Sequence, residues 1–186
     1  MNWNQLRNQI FDATRRAFTE LLESHKSEHF YAFALYTDSS AMSVGPSANT
    51  VERYAEKVGR ELEEDEKTER NLAYYKWSTS EWAFEAACGE AFSLINKTLR
   101  QDSERPDIST FKKSLLKVMT QALAQLVSEG FFERASTATG SACVVFVSIT
   151  DDDDRENVEN ESSKTINSRP AHDQFLKRYS ALADDP

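Results

Sequence analysis

The chain has 186 residues, a formal net charge of −9, 39% hydrophobic and 11% aromatic residues. That length and apolar content suit one domain with a substantial core and exclude wholesale disorder. No apolar run approaches the roughly 20 residues a membrane span needs, and the start, Met1-Asn2-Trp3-Asn4-Gln5, has neither the basic flank nor the apolar block of a secretory signal, so a cytoplasmic location is expected.

The charge is uneven. Residues 61–70 carry six acids and two bases and residues 151–161 seven acids and one base, so these two segments hold −10 and the other 165 residues +1. This argues against nucleic acid, whose phosphates need clustered Lys and Arg, and for attraction to something basic.

From the N-terminus, Trp3, Leu6, Ile10, Ala13, Ala17 and Leu21 recur at helical spacing beside Phe11, Phe18 and Leu22, which predicts an amphipathic helix over 3–24. The next run is apolar at both parities: Phe30, Ala32, Ala34 and Tyr36 would face one side, Tyr31, Phe33 and Leu35 the other. A strand covered on both faces is the expectation. Residues 37–40 have turn chemistry and 41–44 the alternation of a partner strand, giving a hairpin. Gly45-Pro46-Ser47-Ala48 then breaks the chain. Asn49 with Glu52 resembles a capping box opening a helix through Val51, Tyr54, Ala55, Val58 and Leu62, with the first acidic run as its solvated end.

Residues 71–77, short and aromatic, read as a strand. Ser78 and Glu81 form a second capping box, for a helix to about Leu99. The stripe Phe111, Leu115, Val118, Met119, Ala122, Leu126 predicts a helix over 109–128 ended by Gly130 in the left-handed region. A small-residue linker over 135–141 leads to a second doubly apolar strand, 143–149, expected beside the Phe30 strand in mid-sheet. A polar acidic segment at 151–169 follows, then a C-terminal helix at 170–182 carrying Phe175, Leu176, Tyr179 and Leu182. The expected fold is a single α/β (α+β) domain over 1–186: a small mixed, largely antiparallel sheet of about four strands packed with about five helices.

Asp151, Asp152, Asp153, Asp154 and Glu156, just after a strand, admit three readings: a solvated loop, a partner-facing acidic patch, or a site for a hard cation. The calcium-loop pattern fails, since counting from Asp152 places Asn157 where glycine is needed and Ser163 where a bidentate carboxylate belongs. Trp77 and Trp82, with Tyr74 and Tyr75, make an aromatic corner that is either core or an exposed anchor for a partner. Cys88 and Cys143 sit among small and apolar residues as free thiols, and His25, His29 and His172 show neither ligand spacing nor triad context. No P-loop, dinucleotide-binding glycine fingerprint or nucleophile elbow occurs. The expectation is no catalytic residue, no cofactor and no metal.

Four stretches taken together, residues 30–38, 75–82, 129–132 and 145–151, resemble the bacterial family called domain of unknown function 4303, in order and across most of 1–168. Residues 162–167 also resemble a late family segment, though Ser168 stands where the family pattern has proline. The resemblance brings no catalytic residue. It implies a character similar to the small immunity proteins of bacterial polymorphic toxin systems, which bind and neutralise a cognate toxin.

The functional expectation is a non-enzymatic cytoplasmic protein that binds a basic toxin domain through its acidic patches, with Asp151, Asp152, Asp153, Asp154, Glu156, Trp77 and Trp82 as contact residues and neither nucleic acid nor membrane as partner. The alternative is a metal-binding or enzymatic accessory domain using residues 151–156.

Overall fold

Nine residues, Phe30–Asp38, form the central strand β1 of a three-stranded sheet in the computed structural model, which describes residues 1–178 apart from 104, 106, 136–139 and 141. β1 pairs antiparallel with β2 (Gly45–Thr50) and parallel with β3 (Val144–Thr150). Among the described residues the sheet is thus a strand smaller than expected, with one pair of each sense rather than a mainly antiparallel set. β3 does adjoin β1, but from the edge.

The two faces of β1 differ from simple alternation. Between Phe30 and Ala32 the register against β2 shifts, Phe30 opposing Thr50 and Ala32 opposing Asn49, so Tyr31 is the extra residue of a β-bulge. The bulge moves Phe30 onto the side of Phe33 and Leu35, and the rings of Phe30 and Phe33 stack at 5.2 Å. Tyr31 joins Ala32 and Ala34 on the opposite side. Both faces are closed, as a strand apolar at each parity requires.

The Phe33 face is covered by α1 (Trp3–Ser24) and α5 (Ile108–Ser128), whose apolar stripes are those expected from spacing. Phe18 and Phe132 bracket Phe33 at 4.9 Å each. α5 ends as expected: Gly130 has φ +72°, and the Phe131 and Gly130 amides donate to the carbonyls of Leu126 and Val127. The other face carries Trp77, Trp82, Phe146 and Phe175, with the Phe146 and Phe175 rings 4.7 Å apart.

Several expected elements are displaced. The partner of β1 is not 41–44 but β2, whose Gly45-Pro46 start had read as a break. Proline is tolerated because β2 has no further strand beyond it. Thr50, not Asn49, caps α2 (Val51–Glu61), its hydroxyl accepting from the Arg53 amide. Residues 69–77 form a helix, α3 (Glu69–Trp77), in place of the expected strand: Thr68 accepts from the Asn71 amide at 3.2 Å, with Glu69 in the first turn and Lys76 in the last. The second capping box does not form, because Glu81 pairs instead with Lys57 at 2.7 Å and accepts from the Tyr74 hydroxyl. Short 3₁₀ turns at Thr79–Glu81 and Gly89–Phe92 precede α4 (Ser93–Gln101), the only α-helical part of the long helix expected there.

The polar segment after β3 is also a helix, α6 (Arg155–Ile166), followed by α7 (Arg169–Leu176), which has Pro170 in its first turn. Tyr179 and Leu182, expected on the same helix face as Phe175, lie outside the described residues, as does most of the 135–141 linker.

Both outer edges of the sheet are occupied. Beyond β2, the amides of Phe84 and Ala86 donate to the carbonyls of Ala48 and Pro46 at 3.3 and 2.9 Å. Beyond β3 the partners are side chains. Asn167 accepts from the Val145 amide at 2.9 Å and donates to its carbonyl at 2.7 Å, and Ser162 does the same for Val147 at 2.9 and 3.2 Å. These two residues stand in for a fourth strand and leave those backbone groups unavailable for pairing with another chain.

Candidate docking surface

The acidic run occupies the turn from β3 into α6, at the end where β1 and the parallel β3 both finish, Asp38 opposite Thr150. Asp151 is exposed with φ +54°, a conformation aspartate adopts more readily than most residues. Asp152 is turned inward: it pairs with Lys112 of α5 at 2.5 Å and accepts from the Asp154 amide at 3.0 Å. The Lys112 ammonium and that amide hold its carboxyl below the usual aspartate range. Asp153, Asp154 and Glu156 are exposed. Asp154 accepts from the Asn157 side-chain amide at 3.2 Å, and among the described residues no cation pairs with Asp151, Asp153, Asp154 or Glu156.

Asp154 and Glu156 flank the first turn of α6, where unsatisfied backbone N–H groups favour negative charge. Lys112 ties the turn to α5, and the Asp152 carboxylate folds it back on Asp154. The result is a short, backbone-fixed turn presenting four unneutralised carboxylates. The second acidic run sits at the tip of the α2–α3 hairpin, with Glu61, Glu63, Glu64, Asp65 and Glu66 all exposed and Lys67 pairing with Glu64.

Trp77 and Trp82 are 6% and 3% exposed and belong to the core beneath β1. The Trp82 indole N–H and the Tyr31 hydroxyl both donate to the Lys76 carbonyl, at 2.9 and 2.6 Å, satisfying a carbonyl that the end of α3 leaves open. Their physical role in this structure is to seat α3 against the sheet. As exposed anchors they are corrected, because their rings and the residues directly after Trp77 are buried in the core.

Three groups went unnoticed in the sequence. Glu159, 1% exposed, accepts from Ser148 at 2.7 Å and from Arg178 at 3.0 Å, a buried charge pair clamping α6 to β3 and to the residues after α7. Glu28 gathers Arg53, Thr50 and His25 at the junction of α1, β1 and α2. Lys76 lies half-buried between Tyr31 and Trp77. The only hint for Glu159 is its place between Val158 and Ser162 on the inward side of α6; an isolated sequence offers none for the rest.

The histidines are structural: His25 with Glu28, His29 with Glu52, His172 with Ser163. Among the described residues no group of three or more His, Cys, Asp or Glu side chains is placed to hold a metal ion. Cys143 is buried and Cys88 partly so, both as free thiols, and burial pushes each thiol up in pKa.

The family model described as Domain of unknown function (DUF4303) matches residues 10–168. The chain belongs to the DUF4303 family. No curated protein and no solved structure matches the chain. The matched span of this DUF4303 domain runs from within α1 to the end of α6, so it takes in the whole sheet, both acidic runs and the side chains that close the β3 edge. Among its described residues no helix is long and apolar enough to cross a membrane.

Proposed function

We propose that this DUF4303 domain is a non-enzymatic cytoplasmic binding protein that docks a basic protein through the β3–α6 turn, and that the partner is a bacterial toxin which it neutralises as an immunity protein. The supporting observation is the turn itself: Asp151, Asp153, Asp154 and Glu156 stand exposed, with no cationic partner among the described residues, on backbone fixed by the Lys112–Asp152 pair. Four like charges held together repel one another, and a partner cation relieves that repulsion. A surface of this kind accelerates encounter with a positively charged partner and makes association salt-sensitive. The covered sheet edges exclude strand addition at β2 and β3, so side chains carry recognition.

The test is the association rate with a basic partner captured by the wild-type domain, starting with the product of the neighbouring gene. Reversing Asp153, Asp154 and Glu156 to Lys is expected to slow association at least tenfold at low ionic strength, with the difference shrinking as salt rises. Asp152 is left intact because it holds the turn. An association rate equal to wild type at every salt concentration removes the patch from the proposal.

A further inference from the structure

The β1 bulge turns Tyr31 toward a cavity of about 230 Å³ walled by the apolar or aromatic Val51, Tyr54, Trp77, Ala142 and Val144 and by two polar side chains, Lys76 and Gln174. An apolar cavity of roughly 150 Å³ accepts benzene, so this one has room for a single aromatic ring with a short polar arm. Tyr31 and Trp77 are buried, and Val51 is 48% exposed at the rim. The Tyr31 hydroxyl is already engaged, donating to the Lys76 carbonyl and accepting from the buried Asn49 amide at 3.1 Å, so it fixes the wall.

Lys76 is the unusual member. Its ammonium stands 5.3 Å from the centroid of the Trp77 ring and 5.8 Å from that of Tyr31. Among the described residues it has no carboxylate partner and no hydrogen-bond acceptor. Burial pulls its pKa below the usual lysine range. Among the described residues this partly buried cation is held by ring faces and no anion, and a bound carboxylate would add a stronger, charge-assisted contact.

We propose that this cavity binds a small aromatic monocarboxylate, its ring against Tyr54, Trp77 and Val144 and its carboxylate on the Lys76 ammonium. The ring matches the apolar walls and the carboxylate gives the Lys76 ammonium an anion as a charge-assisted hydrogen bond. The site stands apart from the acidic turn and does not depend on partner binding.

Titration calorimetry on the full chain with benzoate and indole-3-acetate, against benzamide and indole-3-acetamide, tests this. At least one acid is expected to bind saturably with a dissociation constant at or below about 1 mM, and its amide at least tenfold more weakly. Lys76→Met is expected to weaken the acid at least tenfold, and Val51→Trp, which fills the mouth from an exposed position, to abolish binding. No saturable binding by either acid overturns the proposal, as does equal binding of acid and amide. Undiminished binding to a folded Lys76→Met protein overturns it too. Should that variant fail to fold, the acid–amide comparison and Val51→Trp decide.

Discussion

Glu28 accepts from the Arg53 guanidinium at 3.0 Å and from the Thr50 hydroxyl at 2.7 Å, while Thr50 accepts in turn from the Arg53 amide as the cap of α2. Burial pushes the Glu28 carboxyl up, but the bonds from Arg53, Thr50 and His25 outweigh it and leave the group below the usual glutamate range. A folded-state pKa lower than the unfolded one means that the stabilisation is complete above about pH 4.3 and is lost as the pH falls through the folded value. Glu28→Gln is expected to cost about 1–3 kcal/mol near neutral pH, or about 2–4 °C in Tm per kcal/mol for a chain of this size. Its melting temperature should also fall less steeply than wild type from about pH 5 to about pH 3; parallel curves would discount the assignment. Tyr31→Phe tests the bulge in the same way. It strips the acceptor from the buried Asn49 amide while Trp82 still serves the Lys76 carbonyl, so thermal denaturation should show a loss of about 1–2 kcal/mol.

Among the elements, α6 has the least obvious task. Its hydrophobic content is low, yet Ser162, together with Asn167 just beyond the helix, answers the backbone of β3, and Glu159 answers Ser148 and Arg178. Asn167→Ala leaves both Val145 groups without partners and is expected to cost about 2–4 kcal/mol in denaturant unfolding and to speed hydrogen exchange at the Val145 amide. An exchange rate like that of wild type would mean that another group replaces the side chain. Spacing made α1 and α5 legible because their apolar stripes are long and face the core. α3 was not, since Tyr74, Tyr75 and Trp77 suggested a strand by residue type while the deciding signal was local: Thr68 as cap, Glu69 and Lys76 at the ends that suit them. β2 escaped for the opposite reason. Gly45 and Pro46 are poor strand residues anywhere except beside an edge that another segment covers, and that segment, Phe84 to Ala86, is contributed from far along the chain.

For the whole molecule, charge and fold are nearly separable. The exposed carboxylates of the β3–α6 turn support the fold only through the helix-end charge of α6 and the Asp154–Asn157 bond, so the Asp153, Asp154 and Glu156 reversal should lower the melting temperature by no more than about 10 °C while it changes association; a collapse of stability would show that the turn is structural. The patch itself was visible in composition. Which acids face outward was not, because Asp152 is claimed by Lys112 and Glu159 by Arg178, partners that only the tertiary arrangement supplies. The mixed sheet has a further consequence in time. Phe30 and Cys143, which meet across the parallel pair, are 113 residues apart in sequence. During synthesis the hairpin can zip as soon as its second arm emerges, whereas the other flank of this greasy ribbon stays open until most of the polypeptide has left the ribosome. Nascent chains halted before position 144 should therefore be sticky, chaperone-bound and easily digested, and the long interval of translation between β1 and β3 is when this protein is most exposed to misassembly.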